Sequence, residues 1–136
     1  GKGKVVFGIS VMANTVEAGA PKPDGFIYVY GVRGNKKELL VSRVQAGYFE
    51  KFSEWTFWDG ATWNTDINNA AALTENISNE MSVSFMEDGR VIAAYQLGGN
   101  SPDVVIQVGK TPWGPFQPLT RIMQRLILIF QSRENY

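Results

Sequence analysis

Apolar positions in this chain recur mainly with period two, in short runs bounded by Gly, Pro, Asn and Asp, which predicts strands rather than long helices. Val5-Val-Phe-Gly-Ile-Ser-Val11 is one such run, followed by a loop over Met12–Asp24. Phe26–Arg33 alternates: Phe26, Tyr28, Tyr30 and Val32 share one face, and Ile27 and Val29 take the other. Both faces are apolar, so this strand is expected in an interior position, packed on two sides. Gly34-Asn35 turns the chain into a strand over Glu38–Val44. An aromatic loop with Tyr48, Phe49 and Phe52 leads to a short strand at Trp55–Trp58, and Asp59-Gly60 turns into Thr62-Trp63. Asn64–Asn79 is a polar connection with room for a short helix near Asn69–Leu73. Met81–Met86 and Arg90–Leu97 read as a hairpin around Glu87-Asp88-Gly89, followed by strands over Asp103–Gly109 and Phe116–Ile122. Leu119, Ile122, Met123, Leu126 and Phe130 have helical spacing, which favours a short C-terminal helix over a strand at Leu126–Phe130.

One stretch is written twice. Phe26–Val41 aligns without a gap on Val91–Ile106, with Ile27/Ile92, Tyr30/Tyr95, Gly34/Gly99 and Asn35/Asn100 identical. Each copy reads as a strand, a Gly-Asn turn and a second strand in one shared register. The repeat divides the chain into two four-stranded antiparallel meanders, at about residues 4–63 and 80–122, with a tail at 123–136. The expected fold is all-β, with about two propeller-type blades in a single partial domain over residues 1–136. A closed ring takes about four blades or more. The chain is therefore expected to be part of a longer protein, or to self-associate through open sheet edges.

Charge and composition narrow the chemistry. Lys+Arg and Asp+Glu are 13 each, with no basic stripe, so no nucleic-acid partner is expected. There is no cysteine and no histidine. Disulfides, thiolate chemistry and a Ser-His-Asp triad are excluded, and no metal or cofactor is expected. Catalysis, if any, must rest on carboxylates, Tyr, Lys or Arg. The densest apolar run, Leu126–Phe130, is too short to cross a bilayer, so no membrane partner is expected.

Lys110-Thr-Pro-Trp-Gly-Pro-Phe116, after an apolar strand, resembles the small–Pro–x–Gly–Pro–aromatic loop of five-bladed β-propeller glycosidases such as glycoside hydrolase family 43 and its relatives. In those enzymes the loop joins the third and fourth strands of a blade. Asp24-Gly-Phe-Ile-Tyr-Val-Tyr-Gly31 resembles their second strand, and Met81–Gln96 is similar to the inner pair of a blade. Thr56–Trp63 is similar to the Asp-box turn of sialidases but lacks the aspartate two residues earlier, and is read as a turn only. The resemblance spans residues 5–122 and implies a secreted or periplasmic carbohydrate-related segment that binds glycans or hydrolyses them.

Ligands of propellers sit at the channel mouth, and glycoside hydrolysis needs two carboxyl groups there. Glu80, at the start of the second unit's innermost strand, is the first candidate acid or base, and Asp24 and Glu17, in the first unit's long loop, are weaker candidates for its partner carboxylate. Trp63 and Trp113, which border turns, are candidate stacking surfaces for sugar rings, whereas Trp55 and Trp58 read as core. Arg33, Arg43 and Arg90 are candidates for carboxylated sugars, with solvated strand charges as the plainer reading; Arg90 is retained as a ligand-binding candidate. The isolated chain is expected to be inactive as an enzyme. Two other readings stay open: a non-catalytic interaction repeat and a small-ligand β-barrel.

Overall fold

The computed structural model describes residues 3–99, 101–118 and 120–122. They form an all-β fold of two antiparallel sheets joined by loops with short 3-10 turns. The first sheet is a five-stranded meander: β1 (Val5–Asn14), β2 (Phe26–Arg33), β3 (Glu38–Gln45), β4 (Thr56–Trp58) and β5 (Trp63–Asn64). The second is a four-stranded meander: β6 (Met81–Phe85), β7 (Val91–Gln96), β8 (Val104–Gly109) and β9 (Thr120–Ile122). The fifth strand of the first sheet exceeds the four expected. It exists because Asp59 accepts the Ala61 and Thr62 N–H groups and closes a hairpin in which Trp58 faces Trp63. The helical expectation for the tail lies outside the described residues beyond Ile122; Thr120–Ile122 is a strand. The connection between the sheets holds a 3-10 turn at Ile67–Asn69 in place of the helix expected near Asn69–Leu73.

The two sheets pack face to face. Tyr28, Tyr30 and Val32 of β2 meet Val83, Val91, Ala93 and Tyr95 of the second sheet in one apolar core, which Leu39, Val41 and Ile77 complete. The other face of the first sheet carries a second, smaller cluster around Leu40, Phe57 and Ala70. β2 is thus covered on both sides, as its two apolar faces imply. The leading strands of the sheets touch: the Val83 N–H on β6 donates to Ser10 Oγ on β1 at 3.2 Å. Tyr30 and Tyr95 hold matching places, each in the second strand of its own sheet. This arrangement is that of neighbouring blades and excludes a single continuous barrel sheet within the described residues.

The repeat holds for the second strands and fails by one residue in the third. Gly34–Lys37 closes the first hairpin with an even number of residues, so Tyr30 pairs with Val41. In the second, the Leu97 N–H bonds the Asp103 carbonyl and residues 98–102 close the turn, an odd number. Tyr95 therefore pairs with Val105 and not with Ile106, the residue the gapless alignment makes equivalent to Val41. Because side chains alternate faces, that slip puts Val105 in the core and leaves Ile106 half-buried.

Candidate functional site

One end of the strands gathers aromatic rings around a cation. The register of β2 and β3 sets Tyr28 opposite Arg43, and that of β4 and β5 sets Trp58 opposite Trp63. Trp113 comes in from the β8–β9 loop. It lies 6.0 Å from Tyr28 in a stacked arrangement, 5.6 Å from Trp63 edge-on and 5.9 Å from Trp58. The Arg43 guanidinium lies over two rings, 4.1 Å from the Phe26 centroid and 4.2 Å from that of Trp63. Stacking of this kind favours Arg, whose flat, weakly hydrated cation lies well against a π face.

Asp24 adds a carboxylate. Its Oδ2 accepts the Tyr28 hydroxyl at 2.6 Å and its Oδ1 accepts the Phe26 N–H at 2.9 Å, so both oxygens have a partner at the start of β2. Burial, reinforced by the bond to Asp24, pushes the Tyr28 hydroxyl far above the usual tyrosine range, and the neighbouring Arg43 cation pulls the other way without offsetting it. Tyr28 therefore stays protonated and acts as a fixed donor. Two buried polar atoms on this sheet end have no hydrogen-bond partner among the described residues: Arg43 Nε and Asn14 Oδ1. Asn14 pairs with Phe26 and lies two residues beyond Met12, a core residue, so it sits on the same face as Phe26, Tyr28 and Arg43.

The loop that delivers Trp113 is tied down from both sides. The Tyr30 hydroxyl reaches across from the first sheet to the Pro112 carbonyl at 2.6 Å. Within the loop, the Gly114 N–H donates to the Thr111 carbonyl and the Trp113 N–H to Thr111 Oγ1. Gly114 has φ of 92°, a left-handed conformation that favours glycine at this turn. This Thr111–Phe116 segment joins the third and fourth strands of the second sheet, the position implied by its resemblance to propeller loops. Beside it, Trp58, Trp113, Leu73, Pro115 and Phe116 line a cleft of about 320 Å³.

Residues 4–130 match the family described as Domain of unknown function (DUF4185). The chain belongs to this family. DUF4185 is β-propeller-like, in keeping with the paired meanders, and the match supports no assignment of this chain to a glycoside hydrolase family. No curated protein matches the chain.

In this DUF4185 chain, the residues singled out from sequence fall into two groups. Asp24, Trp63 and Trp113 come together around Tyr28 and Arg43. Glu80 and Arg90 do not join them. Glu80 is exposed just before β6, beside Asn79, which lines a groove with Gly34, Asn35 and Lys37 at the opposite end of the strands from Asp24. The eight residues of β2 span about 23 Å at roughly 3.3 Å per step, so Glu80 and Asp24 do not form a carboxylate pair. Arg90 is exposed in the β6–β7 turn and bonds Asp88 Oδ2 at 2.8 Å. Glu17 is exposed in the β1–β2 loop. Arg33, read as a solvated charge, is buried instead, paired with Glu38 at 3.0 Å and bonded to the Ala70 carbonyl at 2.7 Å. Trp58 packs against the core as expected, and also borders the cleft. Trp55 packs against the smaller cluster on the far face and donates its indole N–H to the Phe49 carbonyl.

Sequence reasoning left Tyr28 and Phe26 as strand-face residues and named Arg43 as a candidate for carboxylated sugars, behind the plainer reading of a solvated strand charge. The signal that would have placed them is the register. A four-residue turn at Gly34–Lys37 forces Arg43 opposite Tyr28 and makes it the one cation on the face shared with Leu39 and Val41.

The largest groove, about 890 Å³, is at the other end of the molecule, along the bulged part of β1. Its lining includes Lys4, Phe7, Asn35, Lys37 and Asn79, and no carboxylate among the described residues. It offers two lysines and the single half-buried Phe7 ring, whereas the smaller aromatic end sets several rings beside a cation and a carboxylate and is the stronger candidate.

Proposed function

We propose that this chain binds carbohydrate at the strand end formed by Asp24, Tyr28, Arg43, Trp63 and Trp113. The observation that carries this reading is the half-buried pair of Trp63, on β5, and Trp113, on its anchored loop, set beside a stacked guanidinium and a carboxylate. Flat indoles suit the C–H faces of pyranose rings, while Asp24 and Arg43 offer an acceptor and donors for hydroxyls. Most binding sites combine apolar walls with a few fixed polar groups of this kind. A glycan ligand also fits a protein working outside the cytoplasm, secreted or periplasmic.

Binding is favoured over hydrolysis. A retaining glycosidase needs two carboxyl groups about 5 Å apart and an inverting one about 6.5–9.5 Å apart. Asp24 is the carboxylate at this site among the described residues, and both of its oxygens are already engaged by Tyr28 and Phe26. Glycosidase chemistry would require a second acid from outside them.

The test is a calorimetric and array screen of neutral and acidic oligosaccharides against the chain, with a reducing-end assay run in parallel. Binding that drops about tenfold or more in Trp113→Ala, with no release of reducing ends, supports the reading. Binding unaffected by Trp113→Ala and Trp63→Ala places the site elsewhere and overturns it.

A second reading, contact with another protein chain, draws on β1. This edge strand exposes Val6 at 47% and Val11 at 52%, and an uncovered edge is a ready template for strand pairing. Sedimentation that shows concentration-dependent association, abolished by Val11→Lys, would favour it over the glycan site.

A further inference from the structure

We propose that Arg43 is the recognition residue for a carboxylate on the ligand, so that the glycans bound are acidic ones, oligosaccharides of uronic acids. This rests on the glycan reading above and narrows it to a substrate class.

The first argument is charge. Arg43 is half-buried, and its guanidinium has no carboxylate partner among the described residues. The nearby acid, Asp24, gives its oxygens to Tyr28 and to the backbone instead. A cation partly withdrawn from water without a counter-ion carries a cost, which the rings of Phe26 and Trp63 offset in part. Arg33, which is buried, is neutralised by Glu38 and shows what a purely structural solution looks like here.

The second argument is shape. Phe26 and Trp63 both lie against the guanidinium, so rings cover part of it and a ligand would meet its N–H groups. Edge-on approach is the geometry in which arginine binds a carboxylate through two parallel N–H bonds. Trp113, 5.8 Å away, flanks the same cation and leaves a ring surface beside the place where the acid would dock.

The third argument is a free acceptor on the same sheet face. Asn14 is only 4% exposed and its Oδ1 has no partner among the described residues, yet it lies on the same face, opposite Phe26. β2 lies between Asn14 on β1 and Arg43 on β3, so the free acceptor and the guanidinium stand two strand spacings, roughly 10 Å, apart on one face, a span for an oligosaccharide that carries both a carboxylate and hydroxyls. Uronic-acid oligosaccharides carry both groups, whereas a neutral sugar lacks the anion and a simple carboxylic acid lacks the hydroxyl.

The experiment compares uronic-acid oligosaccharides with their own methyl esters, which keep the sugar and remove the charge, by calorimetry on the unmodified chain. The acids are expected to bind about tenfold or more tightly than the esters, and added salt to weaken the acids alone. In Arg43→Gln the ratio is expected to fall towards one, with Arg43→Lys retaining part of it. Acids and esters bound equally well would overturn the role of Arg43 while leaving a glycan site in place. No binding of either, nor of neutral oligosaccharides, would overturn both readings. Should Arg43→Gln fail to fold, the acid-to-ester ratio of the unmodified chain still decides the matter.

Discussion

Tyr30 and Tyr95 stand at matching positions in the two sheets and use their hydroxyls differently. Tyr30 reaches out of its sheet to the Pro112 carbonyl, in the loop that carries Trp113. Tyr95 stays within its own sheet and bonds Gln107 Oε1, whose amide in turn donates to the Gln117 carbonyl. The first tyrosine therefore joins two sheets and fixes part of the candidate site, while the second braces neighbouring strands. The sheets differ in the same sense as a whole. The first is buried on both faces, around two clusters. The second alternates along β7 between buried and more exposed positions, with one face in the core. Two copies of one hairpin have thus diverged into a platform that holds the site and a neighbour that delivers a loop to it.

The largest test of this contrast is on the face that only the first sheet buries. Phe57 is 1% exposed there, edge-on to Phe7 at 5.5 Å. Phe57→Ala should cost about 3–5 kcal/mol by denaturant unfolding, whereas Ser84→Ala on the outer face of β6 should stay within about 0.5 kcal/mol. Equal losses would mean that the two sheets are covered alike.

Next comes the swap of Gly31 for Gln96, residues that match in the repeat. A Cβ on Gly31 would lie 2.8 Å from the Phe7 ring and 2.9 Å from the Val6 carbonyl, because β1 bulges between Phe7 and Ser10 and lays that ring over β2. Gly31→Gln should cost about 1–3 kcal/mol through overpacking. The reverse change, Gln96→Gly, should cost roughly 0.5–1 kcal/mol, the usual effect of glycine in a strand.

The tyrosines themselves sharpen the comparison. Tyr30→Phe and Tyr95→Phe each leave a buried acceptor unpaired and should each cost about 1–3 kcal/mol. Only Tyr30→Phe should also weaken glycan binding, since it alone loosens the Pro112–Trp113 segment. Matching binding constants for the two variants would contradict that division of roles.

Alkaline pH reads the same residues together. Burial, as the leading cause, raises the hydroxyls of Tyr28, Tyr30 and Tyr95 above the ordinary value near 10. Above that pH the unfolded chain loses tyrosine protons that the folded chain keeps, so stability should be flat up to about pH 10 on this account and fall beyond it. Phenolate absorbance from these three tyrosines should appear only with loss of the folded signal; ionisation well before unfolding would show them to be solvated.

The smallest effects belong to residues that sequence reasoning placed in the site and the fold does not. Glu80→Gln and Arg90→Ala should change stability by no more than about 0.5 kcal/mol and leave glycan binding unaltered. The Arg90–Asp88 pair is exposed on both sides and contributes little.

The strands were legible because burial imposes a period: β2 reads correctly from Phe26 to Arg33 since both of its faces are packed. The second hairpin was legible as strands but not in register, because Gly98 and Gly99 both take left-handed φ and spread the turn over five residues. A sequence with Gly-Asn in both copies does not announce that difference. Trp63 and Trp113 were singled out in the sequence because they border turns, and the structure leaves both half-buried beside Tyr28 and Arg43. Arg43 was obscured because an arginine on a strand ordinarily points to water, and its stacking depends on Phe26 and Trp63, residues 17 and 20 positions away in sequence. Glu80 was misplaced relative to Asp24 because pairing them assumed one mouth, while the meander sends the start of β6 to the opposite end from the start of β2.

The four tryptophans provide the most direct test, through their indole N–H signals in a nitrogen–proton correlation spectrum. Trp63 and Trp113 lie in the candidate site, while Trp55 packs on the far face and serves as an internal control. On titration with a uronic-acid oligosaccharide, the Trp63 and Trp113 signals should shift together and saturably while that of Trp55 stays still. A titration that moves Trp55 alone, or moves none of them, would contradict a glycan site at this end of the sheets.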